Sequence, residues 1–296
     1  MQAPDIKTDF RLMQLKNGRN LSFSEWGVPD GFPVFYFHGT PSCRLEAGYA
    51  DKAARDLGFR LIATDRPGFG RSDFQENRTF KDWPQVILDL AEYLEINQFG
   101  VIGHSGAGPH LFACGAFIDP SRLKFVGALG PWGPVSSPEI MADLNRLDRV
   151  FANLARRVPW VMRIGFAPMG WAARYWPGLF FWLLKRSVPR PDQIVLEDPD
   201  VAARFRAMQA EAFRQGSRGA THEAYLAYSK WGFDISSVRV PTHIWLGADD
   251  IFVTNAMGHH MASTIPNVDF HWVEGAGHLN FDNWKDILMA CRHHVR

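Results

Sequence analysis

Cysteine is scarce in this chain: Cys43, Cys114 and Cys291 are the only three in 296 residues, and no C-x-x-C spacing occurs. An odd, scattered set excludes a disulfide framework or a thiolate zinc site, and a reducing, cytoplasmic setting is the simplest expectation. An excess of one charge sign is also missing. Lys and Arg number 32 against 31 Asp and Glu, a formal +1, so the chain as a whole offers no electrostatic ground for nucleic acid or an anionic membrane as partner. Long hydrophobic runs are lacking as well. The most apolar stretch, Trp160 to Leu184, is broken by Arg163, Pro168, Arg174 and Pro177, and its pieces fall short of the ~20 residues of a membrane helix. A soluble chain with no integral membrane segment is expected, and the first ten residues lack the basic start and apolar stretch of a secretory signal.

Motifs for cofactors are absent in the same way. The glycines of Gly103 to Gly108 mimic a phosphate loop, but Pro109-His110 stands where Lys-Ser/Thr is needed, and Gly68-Phe69-Gly70 lacks the third glycine of a dinucleotide fingerprint. Eleven histidines include the pairs His259-His260 and His293-His294, yet neighbours in sequence do not share a helix face, and no H-E-x-x-H spacing occurs. No metal and no cofactor are expected. Oligomeric state is not legible.

What is present is alternation. Phe10-Leu12-Gln14 and Leu21-Phe23-Glu25 flank Asn17-Gly18, a hairpin signal. Unbroken apolar runs then recur at Pro33–Phe37, Leu61–Ala63, Val101–Ile102, Phe125–Leu129, His243–Leu246 and Phe270–Val273, the pattern of strands buried on both faces of a parallel sheet. Helical stretches are expected near Leu45–Leu57, Trp83–Leu94, Pro109–Phe117, Asn255–Thr264 and Trp284–Cys291. This order predicts an α/β fold, a mostly parallel sheet with helices on both faces. Between about Pro134 and Phe233 the alternation stops. Leu144, Leu147, Val150, Phe151, Leu154 and Val158 recur at helical spacing, as do Val201, Phe205, Met208 and Ala212, and a third helix is expected over Thr221–Trp231. The expected organisation is a core of residues 1–133 and 234–296 carrying a helical cap, residues 134–233.

The residue types that carry chemistry stand at strand ends. Gly103-His104-Ser105-Gly106-Ala107 follows the Phe99–Ile102 run directly, which is the form of a nucleophile elbow: the turn is so tight that the positions two before and two after the serine must be small. Further on come an acidic turn, Gly247-Ala248-Asp249-Asp250, and then Gly275-Ala276-Gly277-His278. A serine hydroxyl is a weak nucleophile, and it needs a base in reach and a group to orient that base.

Taken with His38-Gly39-Thr40-Pro41 and Asp65-Arg66-Pro67-Gly68-Phe69-Gly70-Arg71-Ser72, these motifs resemble the α/β-hydrolase superfamily, in its lidded serine esterase-like branch, across essentially the whole chain. The order serine, acid, histidine is that superfamily's. The resemblance implies Ser105 as nucleophile, His278 as base and Asp250, three residues after the strand-end Gly247, as the acid in preference to Asp249. It implies an oxyanion hole of two backbone N–H groups. One is that of Gly106; the other lies in the loop after the Pro33–Phe37 strand, where Pro41 has no N–H and Thr40 is the natural donor. His38, Gly39, Gly103 and His104 would support the loop and the elbow. Cys43 and Arg44, just past that loop, are close enough to be weighed as substrate contacts, but read rather as a packed thiol and a surface or structural arginine.

The implied function is cofactor-independent cleavage of a small hydrophobic ester or lactone. Carbon–carbon bond hydrolases, acyltransferases and ligand-binding receptors share the same residues, whereas epoxide hydrolases and haloalkane dehalogenases carry aspartate where this chain has Ser105. The aromatic load of the 134–233 region is expected to be mostly cap core, with Trp132, Trp176, Phe180 and Trp231 as candidates for an apolar substrate pocket.

Overall fold

The computed structural model describes residues 8–135 and 138–295. Eight strands form one sheet: β1 (Arg11–Gln14), β2 (Asn20–Gly27), β3 (Phe32–Phe37), β4 (Phe59–Thr64), β5 (Phe99–His104), β6 (Leu123–Leu129), β7 (Thr242–Gly247) and β8 (Val268–Val273). The order across the sheet is β1-β2-β4-β3-β5-β6-β7-β8. β2 runs antiparallel to both β1 and β4, and every other pair is parallel. The β1–β2 hairpin closes at Gly18 with φ +83°, a backbone state open to glycine at no steric cost.

Crossover helices α1 (Asp51–Leu57), α2 (Trp83–Tyr93) and α3 (Gly108–Phe117) follow β3, β4 and β5. Among the described residues seven helices then separate β6 from β7: α4 (Pro138–Asp143), α5 (Arg146–Arg157), α6 (Met162–Tyr175), α7 (Pro177–Ser187), α8 (Arg190–Val195), α9 (Pro199–Ala212) and α10 (Arg218–Tyr228). α11 (Asn255–Thr264) and α12 (Trp284–Arg292) complete the chain.

The central strands are apolar throughout because both faces are covered. Side chains alternate across a strand, so Phe35 and Phe37 of β3 join the core beneath α2, α3 and α11, while Val34 and Tyr36 join the opposite core with Ala54 of α1 and Trp284 and Leu288 of α12. Helix ends follow local chemistry. α1 stops at Gly58, φ +75°, and the Asp198 carboxylate caps α9 through the Asp200 and Val201 N–H groups.

Two expectations are corrected. The Leu45–Leu57 helix is split into a 3-10 turn, Arg44–Tyr49, and α1, since Arg44 and Glu46 both turn inward to buried partners. β8 is an edge strand and only half-buried, not covered on both faces. The interrupted stretch around Trp160–Leu184 is two helices, α6 and α7, the first with Pro168 in its interior.

Candidate active site

Ser105 occupies the sharp turn between β5 and α3 with φ +55°, a left-handed conformation rare outside glycine and held by its surroundings. Gly103 makes that turn possible. A Cβ there would lie 2.6 Å from the Phe37 carbonyl oxygen and 2.7 Å from the Cβ of Ala107. An alanine at 107 is thus tolerated because position 103 carries no side chain.

The acidic turn after β7 and the Gly275–His278 loop after β8 converge on Ser105. Their packing is close enough that a Cβ on Gly247 would meet the carbonyl oxygens of Ala276 and Gly277 at 2.3 Å. The Ser105 hydroxyl donates to His278 Nε2 at 2.8 Å, and His278 Nδ1–H donates to Asp250 Oδ2 at 2.6 Å. A carboxylate can only accept, which assigns the imidazole proton to Nδ1 and leaves Nε2 basic. Asp250 Oδ1 is held by the N–H groups of Phe252 and Val253 at 2.8 and 3.0 Å. Asp249 is exposed, and its backbone N–H donates to the Ala276 carbonyl of the His278 loop at 2.9 Å. Burial disfavours a charged His278, but the Asp250 carboxylate outweighs it and holds the imidazole pKa above its ordinary value.

The loop after β3 lies across from Ser105. Gly39 N–H donates to Glu46 Oε1 at 2.8 Å and is therefore occupied, whereas the Thr40 N–H has no protein acceptor among the described residues. Gly106 backs onto Thr40: a Cβ at 106 would stand 2.4 Å from Thr40 Oγ1 and 3.2 Å from its nitrogen. Thr40, Ser105 and Gly106 all face the same cavity. Two backbone donors beside a serine suit an oxygen that gains negative charge.

His38 and His104, expected beside the loop and the elbow, hold this arrangement together with residues that the sequence reading missed. Arg66, visible only as part of its motif, donates to the carbonyls of His38 and Gly39 and to Thr40 Oγ1. His38 is buried neutral, Nδ1–H to Gly39 O and Nε2 accepting the Arg66 N–H; burial, then the Arg66 charge, drive its pKa well down. His104 lies between loops, its Nε2 at 3.1 Å from the His278 carbonyl and its Nδ1 at 3.6 Å from Glu46. Three braces come from the helical insert. Gln209 of α9 donates to Pro41 O at 2.8 Å, and Asp192 of α8 accepts Leu279 N–H at 2.7 Å beside His278. Glu223 of α10 pairs with Arg66 at 3.0 Å and with Arg78. Glu223 is fully desolvated, yet Arg78 and Arg66 hold it far below the usual carboxylate range. No short motif marks these three, because their partners lie more than eighty residues away in sequence. Arg44 is likewise a buried ion-pair partner of Asp65 and Glu211 at 2.9 Å, and Cys43 is a buried thiol.

Above Ser105 is a cavity of about 300 Å³, at the lower end for small-molecule sites. Trp132 and Phe180 line it with Phe166, Met169 and Phe205, while Asp148, Gln209 and Glu223 add polar groups. Two expected pocket residues are elsewhere. Trp176 is 54% exposed on the outer surface, since it sits at the α6–α7 junction and packs edge-on against Trp171. Trp231 is buried beyond the end of α10, between Phe80 and Phe233, and fills the core beside α3. Of the fifteen aromatics between residues 134 and 233, Trp160, Trp171, Tyr175, Trp176 and Trp182 are exposed, and the other ten are buried or half-buried. Among the described residues no cluster of His, Cys, Asp and Glu has the grouping of a metal site, and no helix is long and apolar enough to cross a membrane.

The comparisons with known proteins agree with this architecture. A non-heme chloroperoxidase, CPO-A1, of Kitasatospora aureofaciens is 27% identical over 271 residues, 89% of this chain and 90% of that protein. A thermophilic esterase from Thermogutta terrifontis superposes with a TM-score of 0.68 at 21% identity, with 98% of each chain covered. An enol-lactonase from Burkholderia xenovorans LB400 gives 0.66 at 18% identity, covering 96% of this chain and 98% of that one. At such identities the structural likeness speaks for the fold. The profile of the alpha/beta hydrolase fold matches residues 33–283, most of the sequence, and the chain belongs to the α/β-hydrolase family.

Proposed function

We propose that this chain is a serine hydrolase that cleaves a small, uncharged, hydrophobic carboxylic ester or lactone through an acyl-enzyme. The observation that carries this reading is the unbroken relay from Ser105 Oγ to His278 Nε2 and from His278 Nδ1 to Asp250. Ser105 Oγ attacks the carbonyl carbon while His278 takes its proton, and the carbonyl oxygen becomes an oxyanion facing the Thr40 and Gly106 N–H groups. The tetrahedral adduct collapses, the C–O bond to the alcohol breaks, and His278 returns its proton to the departing oxygen. Water then repeats the sequence on the acyl-Ser105 ester, releasing the acid and restoring the serine. Asp250 orients the imidazole and stabilises its cation without itself taking a proton.

The apolar cavity walls favour a hydrophobic acyl or alcohol group. Residues 1–133 and 234–296 are assigned as the catalytic core and 134–233 as a cap that supplies walls and braces but no reacting group. Three buried free thiols suit a reducing compartment. A serine-directed phosphonate should label the protein stoichiometrically on Ser105, and p-nitrophenyl esters of graded acyl length should turn over. Ser105→Ala should lose both; ester turnover near the wild-type rate in that variant refutes the reading.

The resemblance to a chloroperoxidase over nearly nine-tenths of the chain favours a second outcome of the same acyl-enzyme, with hydrogen peroxide replacing water and a peracid as product. Peracid formation from a short carboxylic acid and peroxide, lost in Ser105→Ala, tests it.

A further inference from the structure

We infer that the outer face of α6 and α7 docks on an anionic lipid bilayer. The near-neutral balance of the whole chain conceals a local asymmetry: between Asp148 and Asp192 there are eight Lys and Arg and no Asp or Glu. The same segment turns its aromatics outward. Ile164, Trp171 and Tyr175 share one face of α6, and Leu179 of α7 is followed three and four residues on by Trp182 and Leu183, each about half exposed or more. Trp171 and Trp176 pack 4.7 Å apart edge to face, and the Arg186 guanidinium lies 4.0 Å over the Trp182 ring. Apolar surface gathered in this way marks an interaction site.

Charge selects the occupant. Two copies of this face brought together would set one basic, acid-free segment against another, and a symmetric pairing makes that unavoidable. A bilayer bearing anionic headgroups offers the opposite sign and an interfacial zone that suits tryptophan. Arg163, Arg174 and Arg186 are exposed around the aromatics and can reach phosphate oxygens while their stems lie along the apolar rings. Two acids are nearby and both are paired: Glu197 with Arg190 at 2.7 Å and Lys185 at 3.6 Å, and Glu76, which lines the same surface depression as Arg163, with Arg218.

The docking stands apart from the catalytic reading, but it has a consequence for it. The inner faces of these helices carry Phe166, Met169, Phe180 and Leu184, which line the cavity above Ser105. An ester dissolved in the bilayer would thus lie one helix thickness from the pocket, which points to amphiphilic, membrane-partitioned esters as the substrate class.

Flotation of the full chain with phosphatidylcholine vesicles, with and without phosphatidylglycerol, tests the inference. The wild type should float with the anionic vesicles only and be released by high salt. Arg163→Glu/Arg186→Glu should weaken partitioning at least tenfold, since each basic side chain at an anionic surface contributes about fivefold. Trp171→Ala/Trp182→Ala should weaken it comparably. Both variants should melt like the wild type and hydrolyse a water-soluble short-chain ester at its rate, which separates docking from folding and from catalysis. Absence of wild-type flotation, or flotation undiminished in both variants, overturns the inference. So does a dimer in light scattering that the tryptophan variant dissolves while vesicles remain unbound.

Discussion

Replacing Gly106 by alanine isolates one feature of the proposed oxyanion hole. The backbone at 106 is not in the left-handed region, so alanine meets no conformational penalty, and its effect comes from contact alone. The new Cβ would stand 2.4 Å from Thr40 Oγ1 and 2.8 Å from Thr40 Cβ, where ordinary contact begins at 3.4 Å. The two loops must then part by about 1 Å, and Thr40 cannot simply rotate away, because Arg66 Nη2 holds its hydroxyl at 2.6 Å. A donor set ~3 Å from the developing oxyanion would move to ~4 Å, beyond hydrogen-bond range. Losing one such donor lowers kcat by about 10²–10³, or roughly 3–4 kcal/mol in the barrier. The assay is kcat and KM on a p-nitrophenyl ester. The loss should fall in kcat with KM little changed, because the contact forms mainly in the transition state. Thr40→Gly in the same background removes both clashing atoms and should recover at least tenfold of the loss, about 1.4 kcal/mol. A Gly106→Ala enzyme within threefold of the wild-type kcat, or a double variant no better than the single, refutes the placement of these donors.

Asp250→Asn should reduce kcat about 10⁴-fold by analogy with the serine protease relay, whereas Asp249→Asn, exposed and remote from the imidazole, should stay within a few-fold. His278 must be neutral to accept the serine proton, and its pKa is raised by Asp250. Activity should therefore be lost as pH falls through a midpoint above about 6.5, and the residual activity of Asp250→Asn should show that midpoint moved down. Glu223→Gln leaves Arg66 and Arg78 buried without their counter-charge, a change of about 3–5 kcal/mol, so the melting temperature should drop by about 5–10 °C. A melt within a degree of the wild type would dismiss that network as a brace. Phe180→Ala should shift the preferred acyl length with modest loss of stability, while Trp231→Ala should destabilise without reordering the esters; the reverse outcome would misplace the pocket.

Local signals marked much of this protein. Strands buried on both faces announce themselves as unbroken apolar runs, and the helix Asn255–Thr264 begins at a Thr254 cap that satisfies the Met257 N–H. The residues of the relay stand out because each follows a strand in a turn rich in glycine, where backbones approach closely. α6 and α7 were harder to read. Their apolar residues occupy outer as well as inner faces, and Pro168 interrupts the first, so no single stripe at helical spacing appears. For the same reason Trp176 looked like a pocket residue: composition records an aromatic but not the side of the helix it is on.

Sequence alone was enough for the α/β alternation, the tight turn at Ser105 and the order of serine, acid and histidine, since these depend on neighbours within a few residues. Only the tertiary structure decided that Asp250 and not Asp249 reaches His278, because adjacent residues in a turn point in different directions and only the packing of one loop on another selects between them. It alone also brought Asp192, Gln209 and Glu223 from the helical insert down to brace the loops around Ser105. Such contacts join residues whose separation along the chain carries no period and no motif, and burial gives them their strength by removing the water that would otherwise screen them.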